Sequence, residues 1–393
     1  MENDSQARFM REAIELAKKG TGRTNPNPLV GAVIVQQNQI IGQGFHHKYG
    51  DLHAERDALR DCLERGNDPS GATMFVTLEP CCHTGKQPPC VEAIVQAKIK
   101  KVVVGSRDPN PLVSGKGATF LREHGVEVEQ DFFREECDAL NFIFFHYITK
   151  GTPYVALKYA MTADGKIATV SGASKWISCQ ESRDFVHQLR AKYSCILCGI
   201  GTVLKDDPLL TCRIPGGRNP TRVICDSNLR IPLESNIVQT ARDVPTIVAC
   251  RDLTQAQDFM AKQKALRDLG VQIIQAGSDC VDLRLLLKAL AERNLDSVLV
   301  EGGSQINFSF LEAGLANRLY CFVAPKIFGG AAPTPVGGRG VLEVADAFAL
   351  ATRDARRIGS DILIEYEFVG NNGNCSQAQN AAASFSQSKN SES

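Results

Sequence analysis

Short apolar runs rich in β-branched residues alternate along this chain with longer stretches whose apolar positions recur at helical spacing. Residues 5–19 predict a helix, and Val30-Gly31-Ala32-Val33-Ile34-Val35 predicts a buried strand. A turn at 36–39 leads to a second strand at 40–45, and a helix is expected from His53 to about Arg65. A strand at 74–78, a helix at 90–97, a strand at 102–105, a helix at 117–124 and a strand at 126–129 continue the rhythm. After a break at 149–153 it restarts. Tyr154-Val155-Ala156-Leu157-Lys158 predicts an alternating strand leading into 159–167, followed by strands at 195–198, 221–225, 246–249, 271–275 and 297–300, with helices at 179–192 and 281–293. The pattern predicts an α/β chain of two domains, 1–148 and 149–369. Its tail, 370–393, is rich in Asn, Gln, Ser and Ala and has too few large apolar residues to order itself.

Composition narrows the function classes. A chain of 393 residues that is 43% hydrophobic can bury the cores of two to three domains. Its 44 basic residues balance 44 acidic ones, with no Lys/Arg-rich block, which argues against nucleic acid as the substrate. Its 14 cysteines lack the regular spacing of a disulfide framework. No signal-peptide core and no apolar run of about 18 residues is present, so a soluble protein of the reducing cytoplasm, without a membrane partner, is expected. Homo-oligomerisation is neither required nor excluded by the sequence.

The chemistry is concentrated in His53-Ala54-Glu55, followed 25 residues after the glutamate by Pro80-Cys81 and then by Pro88-Pro89-Cys90. One imidazole and two thiolates are the ligands of a catalytic zinc that keeps a fourth position open for water, and a neighbouring glutamate is the acid/base such a water needs. Zinc deaminases carry H-x-E followed by P-C-x-x-C. Here eight residues, 82–89, separate the two cysteines, so a loop must fold back to bring Cys90 to Cys81. Cys82 and His83, inside that loop, are donors that could replace Cys81; the cysteines that directly follow prolines are preferred. A structural zinc site or unligated buried cysteines would explain the same residues more simply. Three obvious ligands beside an unpaired glutamate favour an open, catalytic position. Glu55 could also be an ordinary first-turn carboxylate. Residues i and i+2 of a helix point about 200° apart, so His53 and Glu55 do not both ligate one metal, and Glu55 belongs beside the water. There it would take a proton from water, pass it to a ring nitrogen and later protonate a departing amine. The ligands fall at predicted helix starts and strand ends, where open α/β sheets gather ligands and where unpaired backbone N–H groups favour a thiolate.

The second half is less explicit. Ser297-Val298-Leu299-Val300-Glu301-Gly302-Gly303 predicts a strand entering a glycine turn, with a helix from about Gln305. Such a helix start suits phosphate, although an ordinary tight turn is the commoner explanation of the glycines, and no G-x-G-x-x-G fingerprint is present.

Taken together, the motifs resemble one family. Thr24-Asn25-Pro26-Asn27-Pro28-Leu29-Val30-Gly31, Gly44-Phe45-His46, His53-Ala54-Glu55, Glu79-Pro80-Cys81, Pro88-Pro89-Cys90 and Asp108-Pro109-Asn110-Pro111 stand in the order of the bifunctional deaminase/reductase family of riboflavin biosynthesis. The longer cysteine loop is a feature of that family. The second half is similar through Leu157-Lys158, Asp164-Gly165-Lys166-Ile167-Ala168, Ser174-Lys175-Trp176-Ile177, Leu189-Arg190, Gly201-Thr202-Val203, Asp206-Asp207-Pro208-Leu209-Leu210-Thr211-Cys212-Arg213 and Glu301-Gly302-Gly303, so the resemblance spans about residues 5–369.

For the first domain the resemblance implies a cytidine-deaminase-like three-layer fold that hydrolyses the 2-amino group of a diaminopyrimidinone ribosylamine phosphate. His53, Cys81 and Cys90 would hold one zinc ion, with Glu55 catalytic. Asn27, His46, Asp108 and Asn110 would surround pyrimidine and ribose, and Lys86 would meet the phosphate. Outside the resemblance, Asn27 and Asp108 beside prolines read as turn formers and Lys86 as a solvated lysine. For the second domain it implies a dihydrofolate-reductase-like fold that reduces the ribosyl group to ribityl with NADPH. Ala160, Trp176, Thr202, Asp206, Ser227, Gly303, Ser304, Gln305, Ile306 and Asn307 would line the NADPH site. Lys158, Ser174, Arg190, Leu210, Arg213 and Glu301 would hold the substrate. Arg190 and Arg213 suit a phosphate because a guanidinium fork binds it bidentately, although surface ion pairs are the commoner fate of an arginine. Trp176, the only tryptophan, reads by default as a core or rim aromatic. Lys158 or Asp206 is a candidate for the proton needed at ring opening. The rival reading is a zinc-dependent binding or scaffold protein, or one with an inactive reductase half; the intact His53, Glu55, Cys81 and Cys90 favour the enzyme.

Overall fold

The apolar run at 30–35 folds as strand β1 (Gly31–Gln36), and its residues serve two layers. Ala32 and Ile34 pack with Ala54, Ala58 and Cys62 in one core, while Val33 and Val35 pack with Phe9, Met10 and Ala13 in another. A strand buried on both faces has no reason to alternate in polarity, which is why it reads as a continuous apolar run. The computed structural model describes residues 2–84, 87–110, 114–252 and 257–370. Lys86 and the tail from Asn371 lie outside the described residues.

The chain divides into two compact units, one ending at Thr152 and the other beginning at Pro153. A boundary at 148/149 would fall inside a helix, because α6 (Phe142–Lys150) runs on to a C-cap at Gly151, whose φ of 67° suits glycine. The first unit also contains β2 (Gln39–Phe45), β3 (Thr73–Leu78), β4 (Lys101–Ser106) and β5 (Glu127–Glu129). Its other helices are α1 (Glu2–Lys18), α2 (Ala54–Glu64), α3 (Cys90–Gln96), α4 (Lys116–Glu123) and α5 (Arg134–Leu140). The strands form one sheet in the order β2-β1-β3-β4-β5, antiparallel across β1 and parallel from β3 to β5. Helices α2, α3 and α4 cover one face, and α1 and α5 the other, giving three layers.

Two glycines let α2 lie directly on edge strand β2. A Cβ on Gly42 would stand 2.6 Å from the Ala58 carbonyl oxygen, and one on Gly44 would stand 2.3 Å from the Ala58 nitrogen. Two carboxylates of α2 hold the same contact, with Asp61 accepting from the Gln43 N–H at 2.8 Å and buried Asp57 from the Phe45 N–H at 3.1 Å. This close approach fixes the start of α2, where His53 is the N-cap.

The second unit contains β6 (Tyr154–Thr162), β7 (Cys195–Gly199), β8 (Thr221–Cys225), β9 (Thr246–Cys250), β10 (Gln272–Gln275), β11 (Ser297–Val300), β12 (Arg318–Ala324), β13 (Leu350–Ile358) and β14 (Asp361–Phe368). Among the described residues these form one sheet ordered β10-β9-β8-β7-β11-β6-β12-β14-β13, parallel from β10 to β12 and closed by an antiparallel hairpin. The helices are α7 (Gln180–Lys192), α8 (Ile200–Asp206), α9 (Asn236–Gln239), α10 (Gln257–Asp268), α11 (Leu283–Ala291) and α12 (Ser304–Glu312). One core joins the sheet to α11 and α12, and the other joins it to α8, α9 and α10. Strand β6 lies between β11 and β12 and is buried on both faces over Tyr154–Leu157, so the alternation expected there is absent. Among the described residues no helix is long and apolar enough to cross a membrane.

Candidate functional site

His53, Cys81 and Cys90 converge although they come from three different elements. His53 caps α2 with extended backbone, Cys81 follows the carboxyl end of β3, and Cys90 is the first residue of α3. Cys90 returns to Cys81, its N–H donating to the Cys81 carbonyl at 3.0 Å and lying 3.4 Å from the Cys81 Sγ. Arg56 of α2 reaches across to the Pro89 carbonyl at 2.8 Å and so ties the loop to the helix that carries His53. The His53 Nδ1 stands 3.5 Å from the Cys81 Sγ and 3.4 Å from the Cys90 Sγ, and all three donor atoms lie within 4.8 Å of one another. Zinc bonds of about 2.3 Å to sulfur and about 2.0–2.1 Å to nitrogen, at tetrahedral angles, separate N from S by about 3.6 Å. The three residues therefore fit the ion. Cys82 packs against the core and His83 is exposed; neither joins the cluster.

Glu55, in the first turn of α2, is 3% exposed. Burial pushes its carboxyl upward, with the Cys81 sulfur adding to the shift. The hydrogen bond from Cys90 and the nearby His53 hold the Cys81 thiol down, as befits a ligand sulfur.

These groups open on a cavity of about 330 Å³ within the first unit, lined also by Asn27, His46, Asp108 and Asn110. The His46 Nδ1 lies 2.9 Å from the Leu52 carbonyl and must donate to it, which leaves Nε2 as acceptor for the Asn27 Nδ2–H at 3.2 Å. Burial keeps His46 neutral by lowering its pKa. With its amide nitrogen so committed, Asn27 keeps its oxygen for a ligand. Burial lifts the Asp108 carboxyl to about 6, and its Oδ1 accepts from the Asn110 N–H at 2.8 Å. The turn and the cavity wall are thus the same residues. Tyr49, Phe144 and Tyr147 also line this cavity and were not anticipated; the apolar run Phe142-Ile143-Phe144-Phe145 was the available signal.

A second cavity, of about 610 Å³, lies within the second unit at the carboxyl ends of β7 and β11. It is lined by Lys158, Ala160, Ser174, Trp176, Arg190, Thr202, Asp206, Arg213, Glu301 and 303–307. Buried Glu301 is central. It accepts from Lys158 Nζ at 3.0 Å, Arg190 Nε at 2.6 Å and Arg190 Nη2 at 2.9 Å. Burial alone would raise its pKa; the two cations outweigh burial and hold the carboxyl well below the usual carboxylate range. The fork of Arg190 faces Glu301, and its Nη1 donates to the Thr211 carbonyl at 2.9 Å, so the bidentate edge expected for phosphate is already occupied.

Leu210 and Ser227 are not among the residues lining this cavity. Leu210 packs into the core beneath it, and the Ser227 Oγ accepts from the Val281 N–H at 3.0 Å. Arg183, His187 and Lys205 line the cavity without having been anticipated. The spacing 183, 187, 190 along α7 places three polar residues on one helix face, which was the readable signal. Two observations mark this cavity as able to receive a ligand with hydrogen-bond donors. A Cβ on Gly302, φ 97°, would meet nothing within 4 Å, and the buried Asn307 has an unpartnered Oδ1 while its Nδ2 donates to Pro335.

Comparison with known proteins agrees with this division. Residues 3–106 match the family described as the cytidine and deoxycytidylate deaminase zinc-binding region, and residues 153–364 match the RibD C-terminal domain. The riboflavin biosynthesis protein RibD of Actinobacillus pleuropneumoniae is 51% identical over 364 residues, covering 92% of this chain and 95% of its own. RibD of Escherichia coli is 35% identical over 369 residues, covering 91% and 97%. The crystal structure of a diaminohydroxyphosphoribosylaminopyrimidine deaminase/5-amino-6-(5-phosphoribosylamino)uracil reductase from Thermotoga maritima is 41% identical, with a TM-score of 0.83 over 94% of this chain and 100% of that one. The chain belongs to the RibD family and is a bifunctional deaminase and reductase of riboflavin biosynthesis, with zinc as cofactor of its deaminase half.

Proposed function

We propose that the unit ending at Thr152 hydrolyses the 2-amino group of 2,5-diamino-6-(5-phosphoribosylamino)pyrimidin-4-one. The unit from Pro153 then reduces the ribosyl group of the product to ribityl, giving 5-amino-6-(5-phosphoribitylamino)uracil. The observation that carries the first step is the triad of His53, Cys81 and Cys90 closing on itself beside buried Glu55. These three residues would hold zinc, which when bound acts as a Lewis acid and acidifies the attacking water. Glu55 carries the protons. It takes one from the water as ring C2 gains oxygen, passes it to a ring nitrogen, and protonates the amine that leaves as ammonia. The Asn27 oxygen and the Asp108 carboxylate accept N–H groups of the diaminopyrimidinone, and Lys86 is the candidate for its phosphate. Product analysis by mass spectrometry, with and without NADPH, tests both steps. Absence of ammonia release from zinc-loaded protein would refute the first.

In the second unit a bound NADPH would be the source of the hydride that reduces the ribosyl group, and the chain's part is orientation. The Thr202 and 303–307 segments bound the dinucleotide. Lys158, fixed by Glu301, is placed to deliver the proton needed at ring opening, and Arg213 takes the phosphate. All described cysteines are free, as suits the cytoplasm.

Two further outcomes are expected. Above about pH 6 Asp108 is ionised and accepts hydrogen bonds; below it the protonated carboxyl becomes a donor. The deaminase KM should therefore rise about tenfold per pH unit below that value, and Asp108→Asn should lack this limb of the profile. Substrate titrations on either side of about pH 6 decide it, and an unchanged limb in the variant would assign the titration elsewhere. Gly44→Ala forces α2 off β2, because the new Cβ meets backbone atoms that cannot yield. A displacement of about 1 Å at the start of α2 should cost about 10²-fold in ammonia release and leave the reductase rate unchanged. Both rates are to be measured on one preparation, and equal losses would point to general unfolding.

A further inference from the structure

We infer that His187 is the positioning residue that sets Arg213 for the phosphate of the reductase substrate. The inference rests on the reading that Arg213 takes that phosphate. Both side chains line the second cavity. Arg213 donates its Nε–H to the His187 Nε2 at 3.1 Å. A guanidinium does not deprotonate, so this imidazole nitrogen has to be an acceptor, and the ring proton sits on Nδ1. Burial, together with the charges of Arg190 and Arg213, disfavours the imidazolium and keeps the ring in that neutral form.

The division of labour between the two arginines follows from their edges. Arg190 has its Nε–Nη2 edge on Glu301 and gives an Nη1–H to Thr211, so its strongest bidentate edge is committed and its orientation is set by the carboxylate. Arg213 uses only Nε, on His187, which leaves the Nη1–Nη2 edge to grip two phosphate oxygens. The His187 Nδ1, meanwhile, is buried without a partner. A ring placed for its own hydrogen bonding would not leave that N–H orphaned, and such exceptions in native proteins call for a functional explanation. Here the ring is placed for what its other nitrogen does to Arg213. Cys212, next to Arg213, is tied down separately, its N–H donating to the Asn219 Oδ1 at 2.9 Å, so the backbone is fixed and the guanidinium orientation is what His187 decides.

The test is steady-state kinetics of the full chain with saturating NADPH and 5-amino-6-(5-phosphoribosylamino)uracil as the varied substrate. His187→Leu should raise KM at least tenfold with kcat within about threefold. His187→Gln, whose amide oxygen can take the place of Nε2, should restore KM to within about threefold of the parent. His187→Asn, too short to reach Arg213, should behave like the leucine variant. Arg213→Met should raise KM at least as much as His187→Leu, and the double variant should be no worse than Arg213→Met alone. Ammonia release from the first unit calibrates the amount of protein, an unchanged kcat reports that the second unit is folded, and the asparagine and glutamine pair keeps the test decisive should the leucine variant fail to fold. Equal impairment by Gln and Asn, or a normal KM in His187→Leu while Arg213→Met is impaired, overturns the positioning role. A normal KM in Arg213→Met overturns the phosphate reading itself, and the inference with it.

Discussion

Replacing Glu55 by glutamine is expected to lower the rate of ammonia release by about 10² to 10⁴, the range that positioned acid/base catalysis contributes. The variant should still bind one zinc ion. The side chain of Glu55 is absent from the cluster of donor atoms, which His53, Cys81 and Cys90 complete alone. Glutamine keeps the volume of a residue that is 3% exposed, so the first unit has no new cavity to collapse and its fold should survive. The reductase step, started from the deaminated substrate, should be unaffected. Metal analysis and an ammonia assay on the same sample separate the possibilities. If zinc is lost together with activity, Glu55 is a ligand and its role as proton carrier is wrong. Chelation of the parent enzyme should produce the complementary result, with deamination lost and reduction retained.

The legibility of this chain in its sequence follows burial and periodicity. Strands buried on both faces, such as β1 and β3, stand out as apolar runs; Cys81 could be placed at the end of β3 because Pro80-Cys81 follows it, and His53 at the start of α2 because H-x-E opens that helix. The eight-residue gap between the cysteines concealed the geometry of the site but not its membership, since Cys90 returns to Cys81 through backbone hydrogen bonds that any sequence could make. No strand was expected after Val300, where the structure has β12, β13 and β14. β13, Leu350–Ile358, is largely exposed and carries Arg353, Asp354, Arg356 and Arg357, so it has no apolar face to read. β12, Arg318–Ala324, is an apolar run buried on both faces, and a short apolar run does not by periodicity alone distinguish a strand from a piece of buried helix. In the second cavity the residue types were legible and their pairings were not. Nothing in the separation of Arg190 from Glu301, 111 positions along the chain, indicates that the arginine fork faces a carboxylate and not a phosphate.

That pairing makes Glu301 the residue whose loss should most affect the second unit. Glu301→Gln removes the only charge opposing Lys158 and Arg190 within this triad, and both cations are largely buried, at 15% and 13% side-chain exposure. Breaking a buried ion pair by removing one partner costs about 3–5 kcal/mol, because the remaining charge is left unpaired. For a unit of this size that corresponds to a fall of about 10 °C in its melting transition. The transition of the first unit should stay in place, so calorimetry of the full chain is expected to show one transition moving toward lower temperature. The pH dependence follows the same residue. The folded carboxyl lies below its unfolded value of about 4.3, so its contribution is present above that pH and is lost as pH falls through the folded value. The parent's second transition should therefore weaken below about pH 4, and the variant's should be flatter there. NADPH oxidation with the deaminated substrate should fall at least about 10²-fold, since Lys158 loses the partner that orients it. A variant with an unmoved transition would show that the triad does not stabilise the unit. Full reductase activity in the same variant would remove Lys158 from its proposed place at the ring-opening proton.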